Sequence, residues 1–259
     1  MAVSESLKFF YDGVDFYEKY NLLNIHIDSG MFQETFLASR NIKEQKIRGN
    51  NKPYFQEIED GVLSLKLTIG FENGFDEDKL RSLARDLKKD FYRKLIFSEN
   101  PERVFFAILV DEPTLVHTGN NVGYISCSFR CDSPYTYSNT YTSKLYDLSS
   151  NTSQGTEIIF TNNGDLPCDA IIQVQVIDNN SFSIVNKSDS GKTISFSSLS
   201  DNEIITIDTE NEEVETSLPD LHRFSNMTGD FYDFPIGINR LQIFGNIILQ
   251  FKYEFKRLF

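Results

Sequence analysis

Apolar residues in this chain recur at every second position far more often than at every third or fourth, and that periodicity limits the fold more than any other feature. In "VLSLKLTIGF" (62–71), Leu63, Leu65, Leu67 and Ile69 alternate with Ser64, Lys66 and Thr68, the pattern of a strand with one wet face. "RVFFAILV" (103–110) is a denser apolar run that reads as a strand buried on both sides, and "GYISCSFRC" (123–131) returns to alternation. From "TEIIFTN" onward, short strands such as "AIIQVQVID", "SFSIVN", "KTISF", "EIITID" and "NIILQFKYEF" follow one another closely. Turn residues at 162–165, 178–180, 188–191 and 235–239 separate them. The second half therefore reads as an all-β sandwich.

One segment has helical spacing. "FDEDKLRSLARDLKKDFYRK" (75–94) places Leu80, Leu83, Ala84, Leu87 and Phe91 on one stripe. Asp76 is its expected N-cap, Glu77 and Asp78 sit in the first turn, and Lys88, Lys89, Arg93 and Lys94 crowd the far end, as the helix dipole favours. A boundary between two domains is expected near Pro134, with residues 1–137 on one side and 138–259 on the other. Residues 31–55 are charged and weakly periodic, with "RGNN" as a turn, and suit a long hairpin leaving the first domain. A lone hairpin is marginal in water and needs a neighbour to lie on.

Charge and motif content exclude several classes of function. With 25 basic and 38 acidic residues the net charge is −13, which repels phosphate backbones. The second domain carries −9 of it. No apolar run is long enough for a membrane helix, and the N-terminus lacks a secretory pattern, so synthesis in a cytoplasm is expected. His26, His117 and His222 belong to no catalytic arrangement, no phosphate-binding loop is present, and no cofactor is expected. The acidic run 208–215 lacks calcium-loop spacing and reads as a solvated turn. Cys127 and Cys131 lie four apart in an alternating strand, their Cα atoms about 13 Å from each other, too far for one zinc ion or a disulfide. They read as buried structural thiols. A carbohydrate-binding module is the alternative reading, with Tyr135, Tyr137 and Tyr141 standing in for the absent tryptophan as its aromatic platform.

Four stretches, in order, resemble the distal tail proteins of long-tailed, non-contractile phages, the siphovirus tail-component family. "FFYDGVDFYEKYNLLNIHID" resembles that family's first hairpin and "RNIKEQKIRGNNKPYF" its belt extension. "GFDEDKLRSLARDLKKDF", "PERVFFAILVDEP" and "GYISCSFRCDSPYTYS" resemble the helix, core strands and domain junction. "TNNGDLPCDAIIQVQV", "FSIVNKSDSGKTISF", "EIITIDTENEEV" and "FPIGINRLQIFGNIILQFKYEF" follow the family's second-domain order. The resemblance implies a mainly β protein: an N-terminal sandwich or barrel-like domain with one α-helix and a belt hairpin, then a galectin-like sandwich. It further implies a homohexameric ring without enzymatic activity at the distal end of the virion tail. Its implied partners are the tail tube protein, a tail-associated hub protein and receptor-binding proteins, with DNA passing through the lumen. Arg40, Ile42, Glu44, Gly49, Pro53, Tyr54 and Phe55 would then belong to the belt that wraps the next subunit.

Overall fold

The computed structural model describes residues 5–27, 34–178 and 180–258. The described residues up to Tyr137, with Leu258, form one compact unit, and Ser138–Arg257 form a second.

The first unit contains β1 (Phe9–Tyr11), β2 (Val14–Asp15), α1 (Phe16–Tyr20), β3 (Leu22–Asn24), β4 (Arg40–Gln45), β5 (Tyr54–Asp60), β6 (Ser64–Phe71), α2 (Glu77–Leu87), β7 (Arg93–Phe97), β8 (Asn100–His117), β9 (Gly123–Cys131) and β10 (Thr136–Tyr137). Seven strands form an antiparallel ladder in the order β2-β1-β7-β8-β9-β6-β3, with β10 also on β8. The ladder curls into a barrel-like shell. Tyr11 on β1 and Phe129 on β9 stand three strands apart, about 14 Å in a flat sheet, yet their ring centroids are 5.2 Å apart. The Tyr11 hydroxyl also reaches β8, two strands from β1, by donating to the Ala107 carbonyl at 3.2 Å.

Both helices pack into this curl. α2 starts where the sequence predicts, with the Asp76 carboxylate accepting from the Lys79 N–H and Leu83 and Leu87 buried. It ends earlier than predicted. Lys88 is already extended, Arg93 and Lys94 belong to β7, and Phe91 is 70% exposed. The cause is the next strand: Leu95 and Phe97 are buried only if β7 runs between β1 and β8, so the chain must leave the helix in time to turn back. α1 is a second helix that the periodicity does not announce. Five residues are too few to show a stripe, but Asp15 caps two N–H groups and Asn21, at φ 51°, ends it in the left-handed conformation.

β8 also departs from expectation. Val104, Phe105 and Ala107 are buried, one on one face and two on the other, but Phe106, Ile108 and Val110, on the face of Val104, are only half-buried. The strand continues to His117 after an irregularity between Val110 and Thr114, where Asp111 takes φ 58°. One 18-residue strand thus serves β7 with its first half and β9 along its second.

The second unit contains β11 (Tyr141–Thr142), β12 (Tyr146–Leu148), β13 (Thr156–Asn162), β14 (Ala170–Val176), β15 (Phe182–Asn186), β16 (Lys192–Phe196), β17 (Ile204–Asp208), β18 (Glu213–Thr216), β19 (Met227–Gly229), β20 (Gly237–Phe244), β21 (Ile247–Tyr253) and β22 (Lys256–Arg257). One sheet runs β11-β21-β14-β17-β18, with β12 also on β21, and the other β13-β20-β15-β16-β19. Ile172, Val174 and Leu249 of the first share one core with Ile184, Ile194 and Ile243 of the second, which makes a two-sheet sandwich. β20, in the middle of the second sheet, is masked in the sequence by the "PIGIN" turn signal. Its alternation of buried Asn239, Leu241 and Ile243 with Ile238, Arg240 and Gln242 is the available clue.

Candidate functional site

The hairpin is the feature that the rest of the fold does not explain. β4 and β5 form a two-stranded sheet of their own, and every residue in both strands is exposed. Ile42 opposes Ile58, Glu44 opposes Phe55 and Gln45 opposes Tyr54, with an irregularity between Lys43 and Glu44. At the tip, Asn50 N–H donates to the Ile47 carbonyl at 3.0 Å, and Gly49 sits at φ 91°, the third position of a turn that demands a positive φ. Pro53 immediately precedes β5. At the base, Gly61 N–H donates to the Ser39 carbonyl at 2.7 Å.

Two kinds of interaction run along it. Arg40 pairs with Asp60 at 2.8 Å and Lys43 with Glu57 at 2.9 Å and with Glu59, all exposed pairs that solvent screens and that contribute little each. Ile42 and Phe55 are each 64% exposed and Ile58 39%, in a module with no core of its own. Full burial of such side chains contributes about 1.5–3 kcal/mol each, so covering the hairpin would stabilise it by more than its own contacts do.

All seven residues that the resemblance points to lie on this hairpin, from Arg40 at its base through Gly49 at its tip to Phe55 on the return strand. The return strand runs on to Asp60, so Glu57, Ile58, Glu59 and Asp60 belong with them; the expected span stops too early, at 55, although the alternation of "YFQEIED" continues beyond it. Residues 31–33 of the expected span lie outside the described residues.

The other candidate chemistry resolves into structure. Cys127 and Cys131 share the buried face of β9, Cys127 donating to the Leu67 carbonyl at 3.7 Å, and burial pushes the thiols of Cys127, Cys131 and Cys168 up to about 12. Among the described residues no group of three or more His, Cys, Asp or Glu could hold a metal ion, and no helix is long and apolar enough to cross a membrane. Asp208 uses both carboxylate oxygens on the N–H groups of Glu210 and Asn211 and the Asn211 side chain, closing the turn of the acidic run. Tyr135 and Tyr137 meet edge to face at 5.3 Å, with Tyr137 also edge-on to Phe106, so they do not form a flat platform for a sugar. Tyr141 belongs to the other unit and packs on Tyr253 and Phe255.

Comparison with known proteins fits this arrangement. Residues 4–133 match the family model described as phage tail protein N-terminal domain. An SPbeta prophage-derived protein of Bacillus subtilis strain 168, YomH, itself uncharacterised, is 25% identical over 99% of this chain and all of its own length. The solved structure of the Dit protein (gp 19.1) of phage SPP1, described as a paradigm of the hub adsorption apparatus in phages infecting Gram-positive bacteria, covers 96% of this chain and 98% of that one. The superposition has a TM-score of 0.70 at 16% identity. At that identity the likeness shows a common fold.

Proposed function

The chain belongs to the family of phage tail proteins defined by that N-terminal domain, a structural and not an enzymatic class, and from this premise we propose that it is the distal tail protein of a siphovirus-type tail. In this reading six copies close into a ring that joins the tail tube to the tip hub and lets DNA pass. The hairpin of β4 and β5 is the belt: it leaves its own copy and lies on the next. The second unit is the galectin-like domain that faces outward, and its acidic surface serves solubility or the docking of receptor-binding proteins.

The observation that carries this reading is the hairpin, two strands exposed along their whole length with Ile42, Phe55 and Ile58 open to solvent. A two-stranded sheet of this kind is not stable on its own, and closed rings of identical copies are a common way to satisfy a surface that one copy leaves uncovered. The charge is compatible with the role, since a protein of net −13 gives passing DNA little to adhere to.

Native mass spectrometry of the purified protein tests it. The expected result is a mass of six copies for the natural sequence and of one copy for the double variant Ile42→Asp/Ile58→Asp with an unchanged far-ultraviolet circular dichroism spectrum. Six copies in the variant would remove the hairpin's role, and a monomer of the natural sequence, alone and with tail tube protein, would remove the ring. Charge-neutral substitutions at Glu210, Glu212, Glu213 and Glu215 address docking separately: assembly of the tip unaffected by them would exclude the acidic turn as a docking element.

A further inference from the structure

Asparagine followed by glycine occurs twice in this chain, at Asn73-Gly74 and Asn163-Gly164, and the fold treats the two pairs oppositely. Asparagine is a chemically labile side chain. It is most so before glycine, where no Cβ shields the next peptide nitrogen. That nitrogen attacks the side-chain amide carbon only after giving up its proton, so the state of its N–H decides the outcome.

At Asn163 the N–H is held. Gly164 is buried, and its N–H donates to Asn162 Oδ1 at 2.8 Å while the Asn162 amide donates to the Leu166 and Phe234 carbonyls at 2.9 Å each. The Asp165 N–H donates to the Lys256 carbonyl at 2.9 Å, which fixes the chain on the other side. At Asn73 the N–H is free. Asn73 lies in an exposed bend between β6 and α2, and among the described residues neither its side chain nor the Gly74 N–H has a hydrogen-bond partner. The chain is anchored beside the pair instead: the Glu72 N–H donates to the Asn21 carbonyl at 3.0 Å and the Phe75 N–H to the Asn121 carbonyl at 3.1 Å. Gly74 takes φ 71°, and a Cβ on it would stand 2.9 Å from the Asn121 carbonyl oxygen. The glycine that exposes Asn73 to attack is thus one that the turn requires.

We propose that Asn73 is a site of spontaneous deamidation with water as the only co-reactant. Water or hydroxide takes the proton from the Gly74 nitrogen, which bonds to Asn73 Cγ. The Cγ–Nδ2 bond breaks, and the side-chain nitrogen leaves as ammonia with the proton returned to it. Water then opens the cyclic imide at one carbonyl or the other and leaves aspartate or isoaspartate. The turn gains a negative charge just ahead of Asp76, Glu77 and Asp78. In the isoaspartate form the main chain runs through the side-chain carbon and is one bond longer, which moves Gly74 away from Asn121 and loosens the Phe75 tie between this turn and the one joining β8 to β9. A tail protein is not replaced after assembly, so the modified fraction rises with the age of the particle. The chemistry itself uses no part of the hairpin and does not depend on the ring.

Tryptic peptide mapping by mass spectrometry tests it, on the full-length protein incubated at mildly alkaline pH in water enriched in heavy oxygen. The expected result is a pair of acidic products at Asn73 that carry the heavy oxygen, formed at least about tenfold faster than at Asn163, because the buried Gly164 N–H reacts only when its segment opens. In urea the difference should close, and the rate at Asn73 should rise with pH because attack needs the deprotonated nitrogen. Asn73→Gln, a substitution in an exposed bend, should remove most of the acidic form that accumulates on ion exchange. Equal rates in the folded protein, faster conversion at Asn163, an Asn73 that stays an amide in the folded chain, or an undiminished acidic form in the Asn73→Gln variant would each overturn the proposal.

Discussion

Two antiparallel hairpins of similar length, β4 with β5 and β15 with β16, show what strand pairing alone contributes. In the second, Phe182 opposes Phe196 and Ile184 opposes Ile194, all four side chains are buried, and the phenyl rings stack at 5.2 Å. In the first, Ile42 opposes Ile58 in the same relation, but both stay in water. The ion pairs of the two units differ in the same way. Arg40 and Asp60 are about half exposed, whereas Glu203 is wholly buried and receives the guanidinium of Arg223 through Nε at 2.7 Å and Nη2 at 2.9 Å. The backbone ladder is common to both hairpins. What differs is the burial of the side chains on it and the company at its edges, since β15 also pairs with β20 and β16 with β19.

Substitutions can break this contrast, beginning with the buried ion pair. Glu203→Ala strands the Arg223 guanidinium and the Thr216 hydroxyl, which donates to the Glu203 carboxylate, and should lower unfolding free energy in urea by about 3–5 kcal/mol. Burial pushes the Glu203 carboxyl up, but Arg223, Thr216 and the Ser200 N–H outweigh it and hold the group below its usual value. Its contribution is therefore complete above the ordinary carboxylate range near pH 4.5 and is lost as pH falls through the lower folded value. Glu203→Gln should flatten that part of the acid limb in a pH series of urea melts. An acid limb identical to that of the natural sequence would assign the loss to other carboxylates.

Ile184→Ala should cost about 2–5 kcal/mol in the same melts, because the cavity opens at the centre of a sheet. Lys43→Ala, which removes both exposed pairs to Glu57 and Glu59, should have a much smaller effect than Ile184→Ala, and a smaller one still at high salt. Ile42→Ala should change the stability of a single copy by no more than about 0.5 kcal/mol. A large loss there in a monomer would mean that the hairpin already packs on its own body, and the contrast with β15 and β16 would collapse. At the smallest end, burial that raises the three thiols predicts that none reacts with an aromatic disulfide reagent at pH 8 until the chain unfolds. Fast labelling of Cys127 in the native protein would show that β9 opens.

Much of the fold is legible in the sequence because side-chain direction in a strand is a local property. The alternation in "SCSFRC" and the residue before it puts Ile125, Cys127, Phe129 and Cys131 on one face, and all four are buried. The Asp76 cap is equally local. Local reading fails where one segment's fate depends on another. Phe91 has helical spacing from Leu87 but lies outside the helix, because burying Leu95 and Phe97 on β7 requires a turn first. The return strand of the hairpin extends past Phe55, and its pairing opposite Arg40–Lys43 is what shows it.

By itself, then, the sequence determined where most of the strands lie and which face of each is apolar. Tertiary structure decided strand order, the curl that brings Tyr11 to Ala107 across 96 residues, and, among the described residues, the isolation of β4 and β5 from every other sheet. The physical reason is that a side-chain period is set by the dihedral angles of a few consecutive residues, whereas the partner of an edge, or its lack of one, is set by chain segments far away in sequence that carry no local mark of where they will lie.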